Sequence, residues 1–515
     1  MHQRGVRTVD LATLLQGTAC EFRGDPATPV TGVAYDSRQV SSGQVFFCIP
    51  GTSLDGHHFA GDAVARGAAA LVVGHWVTEV AVPQARVADP RRALGVAAAN
   101  AYGHPSRHLT VVGVTGTNGK TTTAFLLEHV LREAGRRTGL LGTVYNKIGD
   151  VAERSVRTTP ESADLQRYLS AMVRRDTGTV VMEVSSHALA LDRLAGTEVD
   201  VAVFTNITHD HFDFHGSFRR YLAAKQRLFA DLGTGRSKRR PCYGVVNRDD
   251  PHFAAVVAAA TAPVISYGTH PEADAQAVEV DLTGQGSSSR VTTPWGDVRL
   301  RLSVPGRFNV ANGLAALTVA VAEGVALDQA AASLEGVRHL PGRYEMVRAP
   351  QGYWVMIDFA HNPAALENIL RTARGLTPSL VWVVFGCEGH KDRAKRPLMG
   401  QVAARWSDRC IVTSDNLHGE DPEAVAGEVE AGILASGMDP ADYQVIMDRG
   451  AAIATALAGA QPGDVVVVAG KGHETQWDAP GGLVPFSDRL VVEELLGLVD
   501  QPVTAGQLLR GPVAP

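Results

Sequence analysis

The chain has 515 residues, of which 45% are hydrophobic and 20% charged, with 53 glycines. That is too long for one ordinary core and leads us to expect three domains of a turn-rich globular protein. A formal net charge of −6 argues against a general nucleic-acid binder, and no stretch reaches the length of a membrane span.

Five scattered cysteines, Cys20, Cys48, Cys242, Cys387 and Cys410, include no CxxC pair. This suits a reducing cytoplasm and offers no thiolate zinc site. The early charges are not followed by a sustained apolar core, so no signal peptide is expected.

Residues 1–107 read as a first domain. Val30 to Val33 and Val45 to Ile49 are short apolar runs, and Asp55 to Phe59 precedes a helix. Ala69 to Val73 is a buried strand, and Ala85 to Val96 mixes strand and helix signals. His104-Pro105-Ser106-Arg107 reads as a linker.

Residues 108–338 read as a second domain. Leu109 to Val114 is an apolar run of the kind that forms a buried parallel strand. Gly116, Thr117, Asn118 and Gly119 then make a tight turn into a helical pattern that opens with Lys120, Thr121 and Thr122. Strand, glycine loop and helix N-terminus cradle phosphate on backbone N–H groups, the lysine adds charge, and the threonine hydroxyl can reach Mg2+. Val114 stands where the standard pattern has its first glycine, so the match is GxxGKT. The loop implies a nucleoside triphosphate without fixing the reaction.

Thr179 to Met182 and Val199 to Thr205 are strands that end in Glu183 and Asn206, with Asp210 and His211 following. Polar residues at the carboxyl ends of such strands mark a ligand crevice, and oxygen and imidazole groups facing a phosphate loop suit Mg2+. The helical pattern Phe218 to Phe229, taken alone, makes Lys225 a surface lysine. Residues 269–304 read as a small antiparallel excursion, and Gly313 to Glu323 as an alanine-rich helix.

Residues 339–515 read as a third domain with a second parallel sheet. Its strands are Trp354 to Ile357, Leu380 to Phe385, Cys410 to Thr413 and Asp464 to Ala469. Asp358 to Pro363 joins a strand to a helix, with Asn362 at the N-cap and Pro363 at the first helical position. Polar clusters follow the other strands: Gly386 to Arg396, Thr413 to Pro422, and Ala469 to Glu474. The last dozen residues read as a loose tail.

In order and spacing these segments resemble the Mur ligase family, and within it the branch that adds the third amino acid of the peptidoglycan stem peptide. The pieces that carry the resemblance are DSRQV near Ser37, GVTGTNGKTTT, TTPE at 158–161, MEVSSHAL at 182–189, FTNITHDHFDFHG at 204–216, AAK at 223–225, RFNVANGLAA at 307–316, PGRYE at 341–345, DFAHNP at 358–363, KRPLMG at 395–400 and AGKGHE at 469–474.

The resemblance implies an α/β fold with a central P-loop ATPase-type sheet. An N-terminal UDP-binding domain and a C-terminal Rossmann-like domain would flank it. It implies ATP and Mg2+, a UDP-N-acetylmuramoyl-dipeptide and a free amino acid as reaction partners, and a cytoplasmic monomer. Ser37, Arg38, Thr158, Thr159, Ser185 and Arg193 match contacts to the nucleotide-sugar peptide. Lys120, Thr121, Glu183 and His211 match phosphate and metal positions. Lys225 matches a lysine carried as a carbamate, which reverses the surface reading. Asn309, Arg343, Asp358 and His361 match ATP-site positions, and Lys391, Asp415, Asn416, His418, Gly470 and Glu474 match positions around the incoming amino acid.

Two loops depart from the family's pattern. Lys391 stands in Gly389-His390-Lys391-Asp392 where the family often has G-D-R-D, and Asp415-Asn416-Leu417-His418 stands where diaminopimelate-adding members have D-N-P-R. Lysine keeps the charge of arginine but loses its bidentate fork. The resemblance therefore leaves meso-diaminopimelate, lysine and ornithine open as the amine. The alternatives are a specialised paralogue with a non-standard amine or acceptor, and a folylpolyglutamate- or cyanophycin-type ligase.

Overall fold

The computed structural model describes residues 8–51, 54–283, 286–479 and 482–498. The tail expected over the last dozen residues lies outside them.

A five-stranded sheet opens the chain, in the spatial order Cys20–Arg23, Gln84–Val87, Ala70–Val73, Val45–Phe47, Val33–Ala34. Its first strand is antiparallel and the rest are parallel. The mixed signal over 85–96 is a strand followed at once by the helix Pro90–Ala101, which starts where Asp89 accepts hydrogen bonds from the Arg91 and Arg92 amides. The run Val30 to Val33 is divided: Val30 pairs with Val9 in a separate ribbon, and Val33 opens a strand of the main sheet.

The central sheet has eleven strands. Its parallel middle runs Thr138–Leu141, Thr179–Glu183, Thr110–Thr115, Val201–Phe204, Tyr243–Asn247, Val264–Gly268. Every residue of Thr110–Thr115, Thr179–Glu183 and Val201–Phe204 is buried, because helices cover both faces. Lys120–Glu133 and Arg307–Ala322 pack on one face, and Ser162–Val173 and Phe218–Ala230 on the other. The antiparallel excursion is present as Ala275–Thr283, Gly286–Thr293 and Gly296–Leu302. The alanine-rich helix begins six residues earlier than expected, at Arg307.

The C-terminal sheet has the order Glu345–Arg348, Trp354–Asp358, Val465–Ala469, Val381–Phe385, Arg409–Val412, Tyr443–Val445, parallel except for its first strand. The expected linker at 104–107 is no free tether. Ser106 is fully buried, and its hydroxyl accepts from the Glu198 amide at 3.1 Å.

Candidate active site

The phosphate loop leaves the central strand Thr110–Thr115 and enters the helix Lys120–Glu133. Gly116 and Gly119 have φ of 156° and 85°. A Cβ on Gly116 would lie 1.9 Å from Thr205 Oγ1, and one on Gly119 2.4 Å from Asn312 Oδ1, so neither position admits a side chain. No side chain caps the helix start, which leaves its first N–H groups to an anion. Lys120 folds back, donating to the Gly116 and Thr117 carbonyls at 3.0 and 2.8 Å. Burial pushes its amine below the usual value, although Glu183 pulls the other way. Thr122 is buried in the same turn.

Glu183 is the hub beside this loop. Its carboxylate accepts from Thr121 Oγ1 at 2.9 Å, the Thr143 amide at 2.7 Å and Thr143 Oγ1 at 3.0 Å. Thr143 Oγ1 also lies 3.2 Å from Thr158 Oγ1, and Thr159 Oγ1 donates to the Glu183 carbonyl at 2.9 Å. The Ser185 amide donates to Thr159 Oγ1, and Arg193 donates to the Thr159 carbonyl at 3.1 Å. Thr158, Thr159, Ser185 and Arg193 therefore form one hydrogen-bonded unit with the phosphate-loop threonine. Arg193 and Arg91 both pair with the buried Glu161, which ties this unit to the helix Pro90–Ala101. Ser37 and Arg38 sit apart in a short 3-10 turn, where Arg38 is exposed and folded onto Asp36 at 2.8 Å.

Lys225 is 1% exposed, which corrects the surface reading of its helix. Its Nζ donates to the Gly116 carbonyl at 2.7 Å and lies over the Tyr221 ring. Burial, reinforced by Lys120, holds its amine far below the ordinary lysine value. Lowering an amine in this way favours its neutral, nucleophilic form. His211 has φ 56° and stands edge-on to His187 at 4.8 Å. Burial lowers His211 to about 3 and His187 to about 4, so both are neutral imidazoles. Burial would raise Asp210, but His211, Lys395, His361 and Lys120 hold it at about 2.

The hydroxyl of Thr121 and the carboxylate of Glu183 are hard oxygen donors. Two further hydroxyls near the loop, Thr115 Oγ1 and Thr208 Oγ1, are buried without a hydrogen-bond partner among the described residues. That donor set fits Mg2+.

The C-terminal sheet closes over the loop. Arg343 donates to Thr121 Oγ1 at 3.2 Å and stacks on Phe359. Asp358 accepts from the Tyr344 amide at 3.0 Å, and His361 Nδ1 lies 2.8 Å from the Phe359 carbonyl. Asn362 caps the helix Pro363–Leu376, as expected, and also reaches Asn118 and Asp210. His209 meets Asp392 at 3.1 Å. Between the two sheets a cleft of about 470 Å3 is lined by Asn118, Asn206, Phe308, Asn312 and Arg371, the size of a small-ligand site. Asn309, which donates to the Pro305 carbonyl and accepts from Asn312, supports its floor.

Asp415, Asn416, His418, Gly470 and Glu474 come together on the rim of the C-terminal sheet. Lys471, which the sequence reading placed only within the polar cluster Ala469 to Glu474 and gave no role, is fully buried among them and donates to Glu474 Oε2 at 2.6 Å and Asn416 Oδ1 at 2.9 Å. A Cβ on Gly470 would meet Asp415 Oδ2 at 2.7 Å. Lys391 is exposed on the loop that faces His209. Thr143, Asn312 and Lys471 were missed. Only Asn312 had a usable signal, its i,i+3 spacing from Asn309.

Three family profiles match the chain in succession: "Mur ligase family, catalytic domain" over residues 29–102, "Mur ligase middle domain" over 114–320, and "Mur ligase, glutamate ligase domain" over 342–472. A relative from Geobacillus kaustophilus (strain HTA426), named UDP-N-acetylmuramoyl-L-alanyl-D-glutamate--2,6-diaminopimelate ligase, is 43% identical over 486 residues, 94% of this chain and 98% of its own. The chain belongs to the Mur ligase family. A second Mur ligase, from Roseiflexus sp. (strain RS-1) and named UDP-N-acetylmuramyl-tripeptide synthetase, is 45% identical over 87% of this chain and 91% of its own. A solved structure of a UDP-N-acetylmuramoyl-L-alanyl-D-glutamate--2,6-diaminopimelate ligase superposes with a TM-score of 0.66 at 30% identity, covering 96% of this chain and 99% of the other. The α/β architecture with its three main sheets is thus that of a Mur ligase. Among the described residues no helix is long and apolar enough to cross a membrane.

Proposed function

We propose that this protein is an ATP-dependent, cytoplasmic ligase of peptidoglycan biosynthesis. It joins a basic amino acid to the D-glutamyl γ-carboxylate of UDP-N-acetylmuramoyl-L-alanyl-D-glutamate, releasing ADP and phosphate. In this reading residues 1–107 hold the UDP end, 108–338 hold ATP, and 339–515 hold the amino acid. The observation that carries it is the single hydrogen-bonded unit from Thr121 through Glu183 to Thr159 and Arg193, which links a phosphate-loop residue to an arginine that already pairs with the Glu161 carboxylate. The names of the relatives support the same acceptor.

A carboxylate is a poor electrophile until activated. A γ-carboxylate oxygen attacks the γ-phosphorus of ATP and ADP leaves, giving an acyl phosphate. The amine nitrogen, having lost its proton, then attacks the acyl carbon. The tetrahedral intermediate collapses, and phosphate departs with the former carboxylate oxygen. Lys120 and the open helix N-terminus offset charge on the transferring group. Arg193 orients the carboxylate, and the Asn362 and Arg343 bridges hold the C-terminal sheet down so that the amine is positioned and water excluded. Thr121, Glu183, His211 and carbamylated Lys225 would hold Mg2+, which supplies further neutralisation of phosphoryl charge.

The mechanism predicts that 18O placed in the γ-carboxylate appears as one 18O in the released phosphate. Unlabelled phosphate from labelled acceptor would rule out the acyl phosphate.

A further inference from the structure

Two carboxylates flank one imidazole on the rim of the C-terminal sheet. Glu388 lies in the loop after Val381–Phe385, His418 in the loop after Arg409–Val412, and Asp478 on the hairpin strand Gln476–Ala479. His418 Nε2 is 3.6 Å from Glu388 Oε1, and Nδ1 is 3.5 Å from Asp478 Oδ2. Both distances are long for a hydrogen bond, so the ring is flanked and not locked.

The backbone fixes its place. The His418 amide donates to Asp478 Oδ2 at 2.8 Å, and the amide of buried Leu417 donates to the Asp478 carbonyl at 3.2 Å. His418 has φ 49°, a conformation disfavoured for a residue with a Cβ and kept only where the surroundings impose it. All three side chains remain partly open to solvent.

The charges here are finely set. Lys471 is committed to Glu474 and Asn416 and is 3.9 Å from Asp415, so it neutralises the neighbouring acids and not this pair. The groups that act on His418 are Glu388, Lys391 and Asp478. Contact with Glu388 raises the imidazole above its usual value. Partial burial would raise Glu388, but His418, Lys395, His361 and Lys391 hold it at about 2, so it is ionised at all working pH values. With His418 protonated, it and Lys391 balance the two carboxylates. With His418 neutral, the two carboxylates lose the cation that stands between them, and a ligand carboxylate placed there meets their repulsion.

We propose that Glu388 and Asp478 are specificity-determining residues for the incoming amino acid: flanking His418, they select a far end bearing an ammonium group and admit a carboxylate there only while His418 is protonated. This rests on the reading of these loops as the amino-acid site. It makes the choice between a zwitterionic far end, as in diaminopimelate, and a purely cationic one, as in lysine, depend on pH.

The test is the ratio of kcat/KM for meso-diaminopimelate to that for L-lysine. It is read as phosphate release by the full-length enzyme with Mg2+, ATP and the UDP-muramoyl dipeptide, from pH 6 to 9. Effects of pH on the shared chemistry cancel in the ratio. Above the pKa of His418 the ratio should fall about tenfold per pH unit, as the protonated fraction does. His418→Arg, a permanent cation, should hold the ratio constant. Glu388→Gln should move the fall to lower pH and weaken lysine use through KM and not kcat. A wild-type ratio flat across the range would overturn the proposal, and this series needs no variant that might fail to fold. Phosphate release with neither amino acid, from folded enzyme, would overturn the underlying ligase reading instead.

Discussion

Asn118 of the phosphate loop and Asn362 at the start of the helix Pro363–Leu376 form a reciprocal amide pair. Asn362 Nδ2 donates to Asn118 Oδ1 at 3.0 Å, and Asn118 Nδ2 donates back to Asn362 Oδ1 at 3.3 Å. The same Asn362 caps its helix and touches Asp210 at 3.2 Å. One side chain thus starts a helix of the third sheet and docks that helix on the nucleotide loop. Asn362→Ala should cost about 1 kcal/mol of stability through the lost cap. It should lower kcat by about tenfold or more, because closure no longer fixes the loop. Denaturation and steady-state rates check this together, and wild-type kcat in a destabilised variant would limit Asn362 to capping.

Lys225 tests the metal assignment. Its amine is buried, held far below the ordinary lysine value by burial, and adjacent to the Gly116 carbonyl. Only the neutral form of an amine can take up CO2, and the carbamate, formed with loss of a proton, replaces the amine with an anionic oxygen donor. Lys225→Ala should lower kcat by about 10²-fold or more with the fold retained by circular dichroism. Mass spectrometry of gently handled protein should find the added carboxyl group on wild type alone. Near-wild-type turnover of Lys225→Ala would remove it from the site.

Asp358 gives a pH prediction for stability. Burial lifts its carboxyl to about 6, against an ordinary 3.8, with Arg343 and the Tyr344 amide opposing. The folded state therefore prefers the acid form. Its stabilising contribution is complete below about pH 3.8 and is lost as pH rises through about 6. Asp358→Asn escapes this loss. Its stability relative to wild type should climb between pH 4 and 7, by at most about 3 kcal/mol. Urea denaturation at four pH values reads the difference, and a constant offset would contradict the assignment.

Glu474 lies on the rim proposed to hold the amino acid, with one carboxylate oxygen already used by Lys471 and Asn416. Burial raises its pKa while Lys471 opposes. Glu474→Gln should raise the KM for a basic amino acid by about tenfold, the worth of one charge-assisted hydrogen bond, with kcat nearly unchanged. An unchanged KM would place Glu474 in a supporting role to Lys471.

The strands Thr110–Thr115, Thr179–Glu183, Val201–Phe204 and Val465–Ala469 were legible because helices cover both faces, so each is an apolar run such as Val111 to Val114 or Val465 to Val468. The interior strands Thr138–Leu141, Tyr243–Asn247 and Val264–Gly268, by contrast, went unread. The edge strands Glu345–Arg348 and Tyr443–Val445 are short and partly polar, and they escaped notice. The phosphate loop was legible since its glycines, lysine and threonines are contiguous. Thr143 and Lys471 were not, because their value lies in partners far along the chain or in burial: Thr143 finds Glu183 forty residues on, and Lys471 looks like any loop lysine until it is seen with no exposed surface. For Lys225 the helical pattern alone pointed outward, and only the family resemblance pointed correctly inward.

The most direct measurement is phosphate release with Mg2+, ATP, bicarbonate and UDP-N-acetylmuramoyl-L-alanyl-D-glutamate, omitting each component in turn. The amino acids supplied are meso-diaminopimelate, lysine, ornithine and a neutral amino acid. The account predicts release only when ATP, the UDP-muramoyl dipeptide and a basic amino acid are all present. Release independent of the dipeptide or of the amine, or release driven equally by the neutral amino acid, would contradict it.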